Sequence, residues 1–319
     1  MSRRVIVDTD TAGDDTQAIL LLATADSVEL EAVTIAAGNV EFDYHVENAK
    51  YTLEVADAAD EVPVYEGARR PLVKDHEHVS HIHGEGGLGG DFFPDTGIDS
   101  AEGFAPDAIV EAARESPGEI TLCCIAPLTN VALALRREPN LNELLDEVWV
   151  MGGAVNTLGN DTPSAEYNFW VDPEAAKMVM RELDVTLVDW GLTVRDATFE
   201  AEFLDRLESI DSEYAEFYQT ANEQVRRFSQ KRYGEDTTTQ PDSLTAACLV
   251  ADDGLITESS EYFVDVDERE GMTRGYSLVD ELGITDGDPR TRVVESVDEE
   301  TFREMFVRML AEGAPEKPL

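Results

Sequence analysis

Four carboxylates, Asp8, Asp10, Asp14 and Asp15, crowd into the stretch VIVDTDTAGDD near the start of the chain. Like charges packed this closely repel one another, so they call for a positive species among them. The apolar run before them reads as a strand, whose period of two places Asp8 and Asp10 on one face, while Asp14 and Asp15 begin or precede the next helix. Oxygen donors without Cys or His suit a hard cation, Ca²⁺ or Mg²⁺. A single acid here also reads as a cap on the helix DTQAILLLA, because a helix N-terminus favours negative charge. Capping needs one such residue and leaves the other three unexplained.

Other turns with chemical capacity follow later strand-like runs: AAGN, IAPLTN and MGGAVNTLGND. All five histidines, His45, His76, His78, His81 and His83, lie in the first hundred residues, and four belong to KDHEHVSHIHGEGGLGGDFFPDTG. That stretch has no periodicity and reads as a long mobile loop over a crevice.

The elements that must position these residues alternate. RVIVDTD, TQAILLLATA, LEAVTIAAG and HVENAKYTLEVADAA read as strand, helix, strand, helix, and the pattern continues through EITLCCIAP, LTNVALALRRE, LDEVWVMGG, PEAAKMVMREL and VTLVDWG. It predicts an α/β fold: a Rossmann-like open, mostly parallel sheet with helices on both faces. EYFVDVDE and TRGYSLVD read as an antiparallel addition, after the long helical segment DSEYAEFYQTANEQVRRFSQKRY. In such sheets ligands sit beyond the carboxyl ends of the strands, where the polar turns converge. With no internal repeat and no linker, residues 1–319 read as one domain.

With 319 residues and 42% hydrophobic content the chain can bury a sizeable core. A formal net charge of −44 excludes a nucleic-acid surface built on basic patches. The acids are spread along the whole chain and Lys is scarce, as suits a protein kept hydrated where salt screens charge to within roughly 3 Å at 1 M. We read this as adaptation to a salt-rich, halophilic cytoplasm. Cys123, Cys124 and Cys248 form neither a disulfide framework nor a zinc spacing and read as buried thiols. The N-terminus enters a strand at once, and no run approaches a membrane span, so a cytoplasmic protein with no membrane partner is expected.

Taken together, VDTDTAGDD, AAGNV, HGEGGLG, APLTNVALAL, VMGGAV, GNDTPSAEYNFWVDPEAA and PDSLTAA resemble, in order, the motifs of the nucleoside hydrolase family, the inosine-uridine preferring N-ribohydrolases. The resemblance implies hydrolysis of ribonucleosides to free base and ribose. It implies a Ca²⁺ held by Asp10, Asp15, Asp242 and the backbone carbonyl of Ile125, with Asp10 as general base. It places Asp14, Asn39, Met151, Asn160, Glu166 and Asn168 around the ribose, and it implies a homodimer or homotetramer. Carboxylates there suit an oxocarbenium-like transition state.

The sequence departs from the family on the leaving-base side. Many members carry a His directly before the metal-binding Asp, where this chain has Pro241, which cannot donate a proton. Two readings compete: His83 of the HG motif, or His81, contacts the leaving base, which is the one favoured here, or an aromatic such as Tyr233 or Trp190 stacks on it instead. Thr11 and Ala12 stand where the family commonly has Pro-Gly. Two other readings of the sequence stay open: a nucleoside or ribose binder without catalysis, and a haloacid-dehalogenase-like phosphatase, suggested by VDTD but lacking a suitably placed Lys.

Overall fold

The structure is a computed structural model describing residues 2–251 and 254–316; the outer limits of the expected 1–319 unit, Met1 and 317–319, lie outside the described residues. Among the described residues the strands are β1 (Arg3–Thr9), β2 (Val28–Ile35), β3 (Val64–Glu66), β4 (Ile120–Cys124), β5 (Leu145–Met151), β6 (Val185–Val188), β7 (Thr198–Glu200), β8 (Thr237–Thr239), β9 (Ile256–Tyr262), β10 (Val264–Val266), β11 (Ser277–Val279) and β12 (Thr291–Val297). Eight form one sheet in the order β3-β2-β1-β4-β5-β6-β12-β9. Every neighbouring pair in it is parallel except β12 with β9. The expected antiparallel addition is the ribbon of β10 and β11, and a second ribbon joins β7 and β8.

The central strands are apolar along their whole length because helices cover both faces. All five residues of β4 are buried; Ile120, Leu122 and Cys124 face one core layer and Cys123 the other. On one side lie helices Asp15–Thr24, Phe42–Val55, Pro241–Ala251 and Glu299–Glu312, and on the other Ala105–Glu115, Thr129–Arg137 and Pro173–Glu182. All three cysteines are buried and free. Among the described residues no helix is long and apolar enough to cross a membrane.

Two of these helices run through the interior. Asp15–Thr24 is buried from Asp15 through Leu22, and Pro241–Ala251 from Asp242 through Val250. A helix that is apolar on all sides belongs inside a protein, and these two pack against each other. Each carries an acid in its first turn, so burying the pair brings Asp15 and Asp242 together from distant parts of the chain.

Two expectations need correction. β1 ends at Thr9, so its alternation does not carry on to Asp10. Asp8 instead accepts hydrogen bonds from Thr34 Oγ1 (2.6 Å) and Asn130 Nδ2 (2.8 Å), tying β1 to β2 and to helix Thr129–Arg137. Nor is the His- and Gly-rich stretch a free loop. It contains helix Ser80–His83, and Gly87 O accepts from Gly13 N (2.9 Å), docking the segment on the turn after β1. Local sequence shows no periodicity there because the fixing partners lie elsewhere in the chain.

The loop after β2, which carries Asn39, is held by His45 from the first turn of helix Phe42–Val55. Its Nε2 accepts from Val40 N (2.9 Å), so Nδ1 carries the proton and donates to Ala36 O (3.2 Å). Burial pushes the His45 pKa down to about 3. The unfolded chain, with a His near 6.5, takes its proton first. Stability contributed by neutral His45 is therefore complete above about pH 6.5 and is lost as pH falls from there toward 3. In His45→Gln, which keeps a donor and an acceptor but does not titrate, the fall in melting temperature between about pH 7 and pH 4.5 should be shallower than in the wild type. Parallel pH profiles would show that His45 does not carry the acid sensitivity.

Candidate active site

The turn after β1 is built around Asp15. Its Oδ1 accepts from Thr9 Oγ1 (2.6 Å), and its Oδ2 from Ala12 N (3.1 Å) and Asn39 Nδ2 (3.4 Å). Asp14 Oδ2 accepts from Asp242 N (3.2 Å) at the start of helix Pro241–Ala251. Asp14, Asp15 and Asp242 each offer a carboxylate oxygen within 4.8 Å of the others. Asp10 stands beside them: its Oδ2 accepts from Asn39 N (2.8 Å), and its Oδ1 is buried without a hydrogen-bond partner. A Cβ on Gly38 would lie 1.7 Å from Asp10 Oδ2, so only glycine lets the loop close over this carboxylate.

These acids sit where a negative charge is expensive. Burial first, and then the neighbouring charges of Asp14 and Glu166, push Asp10 up to about 8, although the Asn39 hydrogen bond opposes this. Burial raises Asp14 to about 6 and Glu166 to about 7. Asp15 and Asp242 lie well above the usual carboxylate range, through burial and then the adjacent carboxylates. Such a group must bind protons or be neutralised by a cation. An all-oxygen donor set and an unpartnered buried oxygen on Asp10 together fit a hard divalent ion.

A second wall comes from the ends of β4 and β5. Glu166 caps helix Tyr167–Val171, with Oε1 accepting from Asn168 N (2.8 Å) and Oε2 from Phe169 N (3.2 Å) and Gly153 N (2.8 Å). Asn168 Nδ2 lies 3.2 Å from Ile125 O and 3.3 Å from Met151 O, joining the exits of the two strands. Asn160 Oδ1 accepts from Tyr167 N (2.9 Å). Ile125, Met151, Asn160, Glu166 and Asn168 thus form one patch, near enough to Asp10 for Glu166 to raise its pKa.

On the flap side the two candidate histidines differ. The Nδ1 of His83 is buried without a hydrogen-bond partner, 2.7 Å from where a Cβ on Gly13 would sit, and Gly13 has a φ of +38°. Burial lowers the His83 pKa to about 4, leaving a neutral ring at neutral pH. His81 is exposed, with its ring centroid 5.7 Å from that of Phe228. Tyr233 is 66% exposed and packs on the same Phe228 at 6.3 Å, while Trp190 packs partly buried against the core. Sequence reasoning misses Phe228; its one signal is an aromatic five residues before Tyr233 on a helix otherwise polar in that stretch. Pro241 opens its helix, where a missing N–H costs nothing.

Gly38→Ala should weaken divalent-cation binding about 10- to 100-fold, the range found when groups that orient metal ligands are disturbed. Calorimetric titration with Ca²⁺ reads this, and an unchanged isotherm would mean that the Asp10 carboxylate does not depend on the tight approach of Gly38.

A family model described as inosine-uridine preferring nucleoside hydrolase matches residues 5–304. The pyrimidine-specific ribonucleoside hydrolase RihB of Escherichia coli (strain K12 / DH10B) is 32% identical over 301 residues, 94% of each chain. Among solved structures, the plant nucleoside hydrolase PpNRh1 superimposes with a TM-score of 0.90 at 28% identity, over 98% of this chain and 100% of that one. An inosine-guanosine nucleoside hydrolase gives a TM-score of 0.87 at 29% identity, over 98% and 99%. Agreement over nearly the whole chain, on a sheet whose strand ends gather buried acids, makes this protein a member of the inosine-uridine preferring nucleoside hydrolase family, an N-ribohydrolase that cleaves ribonucleosides at the glycosidic bond.

Proposed function

We propose that hydrolysis depends on Ca²⁺ held by Asp10, Asp15, Asp242 and the Ile125 carbonyl. The observation that carries this reading is the unpartnered, buried Asp10 Oδ1 beside three carboxylates that converge within 4.8 Å. When bound, the ion supplies charge neutralisation and acidifies and orients the attacking water. Asp10, whose free oxygen faces no protein donor, takes the proton from that water as general base. Asp14, Asn39, Asn160, Glu166 and Asn168, with Met151 beside them, hold the ribose, and the two acids stabilise positive charge as the sugar becomes oxocarbenium-like.

His83 serves the leaving base as a hydrogen-bond donor. A neutral ring with Nδ1 turned toward Gly13 leaves Nε2 for the base, and a pKa lowered to about 4 favours donation over full proton transfer. His81, Phe228 and Tyr233 form the aromatic rim of the same side. The enzyme works as one domain in a salt-rich cytoplasm, as a homodimer or homotetramer. RihB is named for pyrimidines and the inosine-guanosine enzyme for purines, and both classes belong in the assay.

The test is hydrolysis of inosine, uridine and a nitrophenyl riboside in high KCl, with Ca²⁺ and with chelator. Ribose release should be lost on chelation and restored by Ca²⁺; turnover indifferent to chelator would overturn the metal assignment. Asp10→Ala should lose about 10²- to 10⁴-fold in kcat, the usual share of a general base, and full activity would remove that role. His83→Ala should slow inosine and uridine about 10- to 100-fold while sparing the activated riboside. Equal rates on the natural nucleosides would assign the leaving-group contact elsewhere.

A further inference from the structure

Asn48 sits in the middle of helix Phe42–Val55 and is fully buried. Asn is a poor helix residue there unless its amide is used by other parts of the fold. Its Nδ2 donates to Thr11 O (2.9 Å) and to Gly86 O (2.8 Å), while Oδ1 is buried without a partner. Only the donor end is employed, and it joins two separate segments: the carboxylate-bearing turn after β1 and the Gly-rich segment after helix Ser80–His83.

The surroundings leave that segment little freedom. Gly13 N donates to Gly87 O (2.9 Å), and Gly87, at a φ of +86°, approaches so closely that a Cβ there would lie 2.9 Å from Asn48 Nδ2 and 3.1 Å from Ala12 Cβ. Leu88 is fully buried. Gly89 N returns to His83 O (3.2 Å), and a Cβ on Gly89 would lie 2.3 Å from Thr220 O of helix Glu213–Tyr233. Residues 84–89 are therefore wedged between the turn and the long helix, with Asn48 as the side chain that bridges them to the turn.

We propose that Asn48 is a positioning residue: its amide clamps residues 84–89 onto the turn at Thr11 and thereby sets the His83 ring against Gly13. The clamp stands on the hydrogen bonds alone; its consequence for catalysis rests on the role proposed for His83. No other side chain of this size offers two hydrogens to two diverging carbonyls. Asp has the same shape and would present oxygen to oxygen.

The test compares wild type with Asn48→Asp and, should that variant not fold, with the smaller Asn48→Ser. Hydrogen exchange is followed on peptides covering 80–90 and, as internal control, on those from β4 and helix Thr129–Arg137. Exchange over 80–90 should quicken about tenfold or more with the controls unchanged, as for a local opening. Unchanged exchange over 80–90, or an equal rise everywhere, overturns the clamp. In a double-mutant cycle on uridine and inosine, Asn48→Asp added to His83→Ala should cost little beyond His83→Ala alone, while kcat of the single Asn48→Asp falls about tenfold. If the two effects multiply instead, Asn48 does not act through His83, even where exchange supports the clamp. If His83→Ala alone is silent, the leaving-group reading fails and the exchange experiment still decides the clamp.

Discussion

The repulsion among buried carboxylates is the constraint that the rest of the molecule answers. Asp10, Asp14, Asp15, Asp242 and Glu166 all have their pKa raised by burial, so none is at ease as an anion in the protein alone. Four of them are nevertheless given fixed partners: Asn39 N on Asp10, Thr9 Oγ1 and Ala12 N on Asp15, Asp242 N on Asp14, and three backbone N–H groups on Glu166. These bonds orient the acids without cancelling their charge. An arrangement that holds charges in place and leaves them uncompensated suits positive species among them, as the proposed cation and the oxocarbenium-like sugar would be.

The scaffold supplies that arrangement by topology. Parallel strands end side by side, and their loops share one edge of the sheet. β1 delivers the Asp10–Asp15 turn, β2 the Gly38–Asn39 loop, β4 the Ile125 carbonyl and β5 Met151. Backbone bonds from Ile125 N to Asp8 O (2.8 Å) and from Ala36 N to Thr9 O (2.9 Å) carry the ladder just past the strands, so the site begins where the sheet is still rigid. Asp242 comes from far away in the chain because two helices too apolar to face water bury each other.

Much of this is legible in the sequence where the signal is local. Alternating strand and helix patterns mark the sheet, and the crowding of acids before the apolar run TQAILLLA marks Asp15, whereas Asp242 stands out only through the resemblance of PDSLTAA to a family motif. What escapes depends on partners distant in sequence. Asp8 looks like a further member of the cluster until Thr34 and Asn130 are seen to hold its Oδ1 from β2 and from helix Thr129–Arg137; its Oδ2 is buried without a partner. His45 and Asn48 read as ordinary residues of an amphipathic helix, because nothing local says that one holds the Ala36–Val40 loop and the other bridges Thr11 and Gly86. Gly-rich sequence suggests freedom, yet the glycines here permit backbones to approach closely enough to lock.

Pro241 opens the helix that brings Asp242 into the acid cluster. Proline at the first position of helix Pro241–Ala251 sets the backbone that aims Asp242 N at Asp14, and the fixed φ preorganises the helix start on which the acid cluster depends. Proline offers no proton donor at that position. His83 is docked on Gly13 beside a segment that Asn48 bridges to the turn, so on the roles proposed above assistance to the departing base comes from the flap side. On these roles leaving-group contact depends on how well one loop is held, whereas the ribose and cation contacts depend on strand ends. On the proposed roles, contact with the base belongs to the flap and the long helix, and contact with the sugar and the cation to the strand ends, so substitutions on one side would leave the other as it is.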